Sequence, residues 1–120
     1  MRRLILALLL SALPTLTLAE PAGVIRDKDA FLALVNGKEL RIGLYNLSLN
    51  VMPDGRITGS ALGWGISGTW SWQDGHFCRD IDWSGYAIPY NCQLVEAVTA
   101  TQLRFTSDKG QGQAASFRLR

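Results

Sequence analysis

At 120 residues the chain has room for one domain and no more. Twelve Lys and Arg stand against ten Asp and Glu, scattered singly or in pairs, so a nucleic-acid or other polyanionic partner has no electrostatic basis. The first 19 residues take two of the twelve basic residues and none of the ten acids, which leaves ten of each and a neutral remainder.

That first segment, MRRLILALLLSALPTLTLA, has the three parts of a secretory signal peptide over residues 1–19. Arg2 and Arg3 supply the charged start, residues 4–10 the apolar stretch, and Thr17-Leu18-Ala19 the small residues of a cleavage site. The apolar run is too short to span a bilayer, and Pro14 interrupts it. No cysteine follows at once to carry a lipid. The expectation is one exported domain over residues 20–120, periplasmic or secreted, with no stable membrane anchor after cleavage. In such a compartment Cys78 and Cys92 pair by default, and closing a loop of about 15 residues stabilises a fold by roughly 3 kcal/mol. A zinc pair or redox dithiol fits less well, because there is no C-x-x-C and a single histidine, His76.

In chain order, residues 27–37 (DKDAFLALVNG) predict a short helix. Asp27 suits the N-cap, and Gly37 suits the left-handed position after the last turn. Phe31, Leu34 and Val35 share a face at i, i+3, i+4, so the helix should dock on something apolar. Residues 40–51 alternate loosely, with a change of phase near Tyr45-Asn46 that reads as a β-bulge. Pro53-Asp54-Gly55 predicts a turn, and strands follow over residues 56–62, 68–73, 76–83, 90–97, 102–106 and 114–119. The class is mainly β: a small antiparallel β-barrel or half-barrel, a meander of about seven strands, with one short N-terminal helix.

Inside that series, Gly63-Trp64-Gly65-Ile66-Ser67-Gly68 spells the G-x-G-x-x-G of dinucleotide sites. The motif works only where a strand hands over to a helix whose N-terminus holds the pyrophosphate. Here the third glycine leads into Thr69-Trp70-Ser71-Trp72-Gln73 and then Asp74-Gly75, a hairpin signal, so no nucleotide cofactor is expected. A two-residue turn at Asp74-Gly75 pairs Gln73 with His76, Trp72 with Phe77, Ser71 with Cys78 and Trp70 with Arg79. It sets Trp70, Trp72, Phe77, Arg79, Ile81 and Trp83 on one face, to be turned inward. That face is either a filled aromatic core or an aromatic-lined pocket with Arg79 as an anion or ring-stacking contact. On it Trp70, Trp72, Phe77, Arg79 and Trp83 are the candidate ligand-binding residues.

The outward face carries His76, Asp80 and Asp82. His76 and Asp80 would lie about 13 Å apart along one strand, too far to share an ion, so no metal site is expected. A nucleophilic triad would need His76 with Ser71 or Ser84, and no G-x-S-x-G elbow is present. No catalytic residue is assigned. The connection over residues 84–89, flanked by Tyr86 and Tyr90, is a second place for recognition, tied across strands if Cys92 joins Cys78.

The runs GTWSWQDGHFCR at 68–79, Asn91-Cys92-Gln93, LRFTSDKGQG at 103–112 and SFRLR at 116–120 resemble a group of uncharacterised small periplasmic proteins of alphaproteobacteria. The resemblance covers most of residues 20–120 and brings no site residues. Some of that group bear the label dihydrodipicolinate reductase. This chain departs from that enzyme in size, in export, and in lacking a strand–glycine–helix nucleotide unit. The expectation is therefore an exported, non-enzymatic β-domain that binds a small apolar or aromatic ligand or a protein partner, with the labelled reductase activity as the alternative.

Overall fold

The computed structural model describes residues 23–120. The signal peptide read at residues 1–19 lies outside the described residues. After a two-residue strand β1 (Val24–Ile25) come helix α1 (Lys28–Val35) and eight strands: β2 (Leu40–Ile42), β3 (Leu47–Val51), β4 (Arg56–Ala61), β5 (Trp64–Gln73), β6 (His76–Trp83), β7 (Tyr86–Thr99), β8 (Gln102–Thr106) and β9 (Ala114–Leu119). Each of the eight pairs antiparallel with its neighbours in sequence, and β9 returns to β2, so the sheet closes as an up-and-down barrel. β1 adds to the rim of β7, Val24 opposite Glu96 and Ile25 opposite Val95.

The helix forms as its sequence dictates. The Asp27 carboxylate accepts a hydrogen bond from the Ala30 N–H at 3.2 Å, and Gly37 takes the left-handed conformation, φ +73°, just past the last turn. Phe31 and Val35 are fully buried. They plug the barrel end that carries the β3–β4, β5–β6 and β7–β8 connections, since α1 runs directly into the start of β2. Phe31 stacks on Trp72 with ring centroids 5.0 Å apart and meets Trp70, Phe77 and Phe105 within 6.2 Å.

Residues 40–51 differ from the expected single bulged strand. They form a hairpin, β2 and β3, in which Leu40 pairs with Leu49 and Ile42 with Leu47. The 3-10 turn Gly43–Tyr45 and a left-handed Asn46, φ 44°, reverse the chain. The apparent change of phase is the fold-back itself, and it gives eight barrel strands where about seven were expected. The half-barrel alternative falls with it, because the circle is complete.

The hairpin of β5 and β6 has the anticipated register: Gln73 with His76, Trp72 with Phe77, Ser71 with Cys78 and Trp70 with Arg79. Asp74 and Gly75 both have positive φ, +50° and +75°, as a two-residue turn of this hand needs. The G-x-G-x-x-G run begins in the β4–β5 turn and continues inside β5, with no helix after it. Gly68 is required for a different reason. A Cβ there would stand 2.4 Å from the Asp80 carbonyl oxygen, so the glycine lets β5 and β6 approach.

Candidate functional site

Alternation along β5 and β6 sends Ile66, Trp70 and Trp72, then Phe77, Arg79, Ile81 and Trp83, to the inside of the barrel. They do not surround one space. Trp70 and Trp72 belong to the filled end, where their indole N–H groups donate to the Met52 and Arg26 carbonyls at 2.8 and 2.9 Å. Those bonds fix both rings against Phe31. Trp83 sits at the other end, donates to the Ala61 carbonyl at 3.2 Å, and lines a shallow surface recess with Trp64, Ser84 and Tyr86. Phe77 and Arg79 line a cavity of about 300 Å³ inside the barrel.

This cavity was not legible from the hairpin alone, because its walls come from all eight strands. Leu47 and Leu49 of β3, Ile66 of β5, Ile81 of β6, Ile88 of β7 and Phe117 of β9 are among its apolar walls. Its floor is the aromatic layer around Phe77 and Phe105, whose rings meet edge to face at 5.3 Å. Ile81, Ile88, Ser107 and Ala114 place its mouth at the end of the β6–β7 and β8–β9 connections, opposite the helix plug. Around that same end Leu44, Tyr45, Leu62, Trp64 and Tyr86 each expose more than half of their surface.

The polar groups of the cavity gather on one wall: Arg79, Gln93, Ser107 and Gln113. A β-bulge positions Arg79. Between the pairs Arg79–Asn91 and Ile81–Ile88, β6 has one residue, Asp80, and β7 has two, Pro89 and Tyr90. Proline has no N–H to lose from the ladder, and the bulge leaves its carbonyl free to accept a hydrogen bond from the Arg79 guanidinium. Burial lowers the Arg79 pKa from its ordinary value and the neighbouring Asp80 opposes that shift. Arginine starts so far above neutrality that it keeps its charge.

The turn after β8, Ser107–Gly110, closes the same wall. Asp108 and Lys109 both take left-handed conformations, φ 54° and 56°. The Asn91 side chain spans the gap to it: its amide donates to the Asp108 carboxylate at 2.7 Å, and its carbonyl accepts from the Asp108 N–H at 2.9 Å. Gln93, two residues along β7, donates to the Ser107 hydroxyl at 3.4 Å.

On the outer face Cys78 and Cys92 are joined, directly opposite each other across β6 and β7. The bridge fits an oxidising, exported location. The Tyr90 hydroxyl lies 3.4 Å from the Cys92 sulfur, so this tyrosine beside the 84–89 edge reaches the disulfide, and both Tyr86 and Tyr90 stay exposed. His76 lies beside Arg26 at 3.4 Å, away from Asp80 and Asp82 along β6. Among the described residues no group of three metal-ligating side chains is assembled, and no helix is long and apolar enough to cross a membrane.

The chain matches no family, no curated protein and no solved structure in the comparisons made with each.

Proposed function

We propose that this is an exported binding barrel whose lumen takes a small apolar molecule. The observation that carries the reading is the cavity of about 300 Å³, walled by aliphatic and aromatic side chains and open at an end ringed by exposed apolar residues. That volume is at the lower limit of ligand pockets, which combine apolar walls with a few convergent polar groups. An apolar cavity that excludes water gains free energy by accepting an apolar guest. The opposite end is filled by Phe31 and the two tryptophans, so the guest occupies the mouth half of the barrel. The reductase alternative finds less support, since the glycine run lies within a turn and a strand.

The test is a fluorescence titration of the oxidised full chain with N-phenyl-1-naphthylamine, an uncharged apolar dye that brightens when it leaves water. Saturable binding at one site is expected, weakened about tenfold or more by Ala115→Trp, because losing one well-buried apolar contact surface is worth about 1.5–3 kcal/mol. Ala115 faces the mouth and is exposed, and a tryptophan suits a strand, so this variant should fold. Dye binding that is absent, or indifferent to Ala115→Trp, would leave the exposed rim as a protein-docking surface and the lumen empty of function.

A further inference from the structure

Among the described residues lining the lumen, Arg79 is the one that carries a charge. An arginine at the wall of an apolar core ordinarily lays its stem along the core and pairs its head with an acid. Among the described residues no acid pairs with this head. The ion pairs among the described residues join Arg41 to Glu39, Arg56 to Asp54 and Arg104 to Glu96, and none reaches Arg79. Its sequence neighbours Asp80 and Asp82 are exposed on the outer face of β6, and the Asp82 carboxylate accepts from the Gly85 N–H at 2.8 Å. The guanidinium has five N–H donors, and the hydrogen bond it makes is to a neutral carbonyl, that of Pro89. A half-buried charge that has no ion pair among the described residues, and is opposed only by the exposed Asp80 on the outer face, is costly to keep. The bulge at Pro89 nevertheless holds it in place at the lumen wall.

Around it, the wall is graded. Gln93 and Ser107 are neutral hydrogen-bonding groups on the same side, joined to one another at 3.4 Å. Leu47 and Leu49 belong to β3, across the barrel, and Ile66 to β5 next to β6; all three offer only hydrocarbon. A guest that satisfies both walls has an anionic head and an apolar body.

Resting on the lumen reading above, we infer that the natural guest is an anion-headed amphiphile, of which a medium-chain carboxylate is the simplest member, with its head on Arg79 and its chain against β3, β5 and Phe117. A planar guanidinium held by one edge presents its remaining donors as a fork that matches two oxygens of a carboxylate. Arg79 is thus a specificity residue for the head group, and the aliphatic wall supplies most of the affinity.

The test separates head from chain. Decanoate and 1-decanol have the same chain length and differ in charge, and each is titrated as a competitor of N-phenyl-1-naphthylamine on the oxidised full chain. Decanoate should displace the dye at about tenfold or more lower concentration than decanol, as expected for a charge-assisted hydrogen bond in a partly dry site. Arg79→Met should erase that preference while leaving decanol unchanged, and Arg79→Lys should restore part of it. Equal competition by the two in the unaltered protein overturns the head-group assignment and leaves the lumen reading standing. A decanoate preference that persists in Arg79→Met overturns it as well. A dye that finds no site at all removes the lumen reading and this inference together. The comparison on the unaltered chain needs no variant to fold.

Discussion

At the scale of single residues, the site is held by side chains that do not line it. Asn91 is the clearest case. Its amide makes two hydrogen bonds to Asp108, one of them to its carboxylate, and these secure a turn with two consecutive left-handed non-glycine residues. Each such residue costs on the order of 1–2 kcal/mol in backbone strain, so the turn persists only while something fixes it. Asn91→Ala should lower stability by about 1–3 kcal/mol, the usual worth of hydrogen bonds with a charged partner. Asn91→Asp should lower it further at neutral pH, because it sets a second carboxylate against Asp108 in place of a donor. Urea unfolding at constant m-value checks both. An unchanged midpoint in Asn91→Ala would mean that the turn is held by its own backbone, through Ser107 N–H to the Gln113 carbonyl and Gly112 N–H to the Ser107 carbonyl. The position of Arg79 was readable by counting in twos from the Asp74-Gly75 turn. That no acid among the described residues comes within ion-pair distance of it was not, since that depends on where every other strand places its charges.

At the scale of elements, α1 is the plug that turns a tube into a cup. Its start, end and buried face were all legible, because caps and i, i+3, i+4 spacing are local signals. Residues 40–51 were not read correctly. The turn there carries no proline and only Gly43 and Asn46 as turn formers, and the apolar alternation resumes at Leu47 as though the strand had merely slipped. The lumen lay beyond reach for the same class of reason: which of Leu47, Ile66, Ile88 and Phe117 face one another is decided by register around a closed barrel, not along any one strand. The plug itself yields a direct prediction. Phe31 is fully buried among four aromatic rings, so Phe31→Ala should cost about 3–5 kcal/mol, the range for truncating a buried phenylalanine. The void left should be apolar and dry, and benzene should therefore raise the melting temperature of Phe31→Ala by more than it raises that of the unaltered protein. If the two rise equally, the helix has collapsed into the gap, and the floor of the lumen is softer than its packing indicates.

At the scale of the whole molecule, closure is uneven. β5 and β6 share eight register pairs, with the disulfide stapling β6 to β7 beside them. The seam that completes the circle is far thinner: Leu40 with Leu119 and Arg41 with Arg118, flanked by Glu39 and Arg120, which exchange backbone hydrogen bonds at 2.8 and 3.0 Å. A second weak line runs beside the mouth, where β7 from Tyr86 to Gln93 pairs with β6 while its pairing with β8 begins at Leu94. Pro89 and its bulge blunt that free edge, which would otherwise invite another chain to pair with it. Local opening follows the fewest buried contacts and the shortest ladders, so the molecule should breathe along these two lines before it unfolds. Hydrogen exchange on the oxidised full chain should show β5 and β6 protected to near the global unfolding limit, with residues 40–42, 86–90 and 118–119 exchanging sooner. A lumen ligand that contacts β6, β7 and β9 binds the closed barrel in preference to the opened one, so it should slow exchange at 86–90 and 118–119 more than at the β5–β6 hairpin. Uniform protection across the seam would mean that the barrel opens only by unfolding, and the guest would then have to enter through the apolar mouth alone.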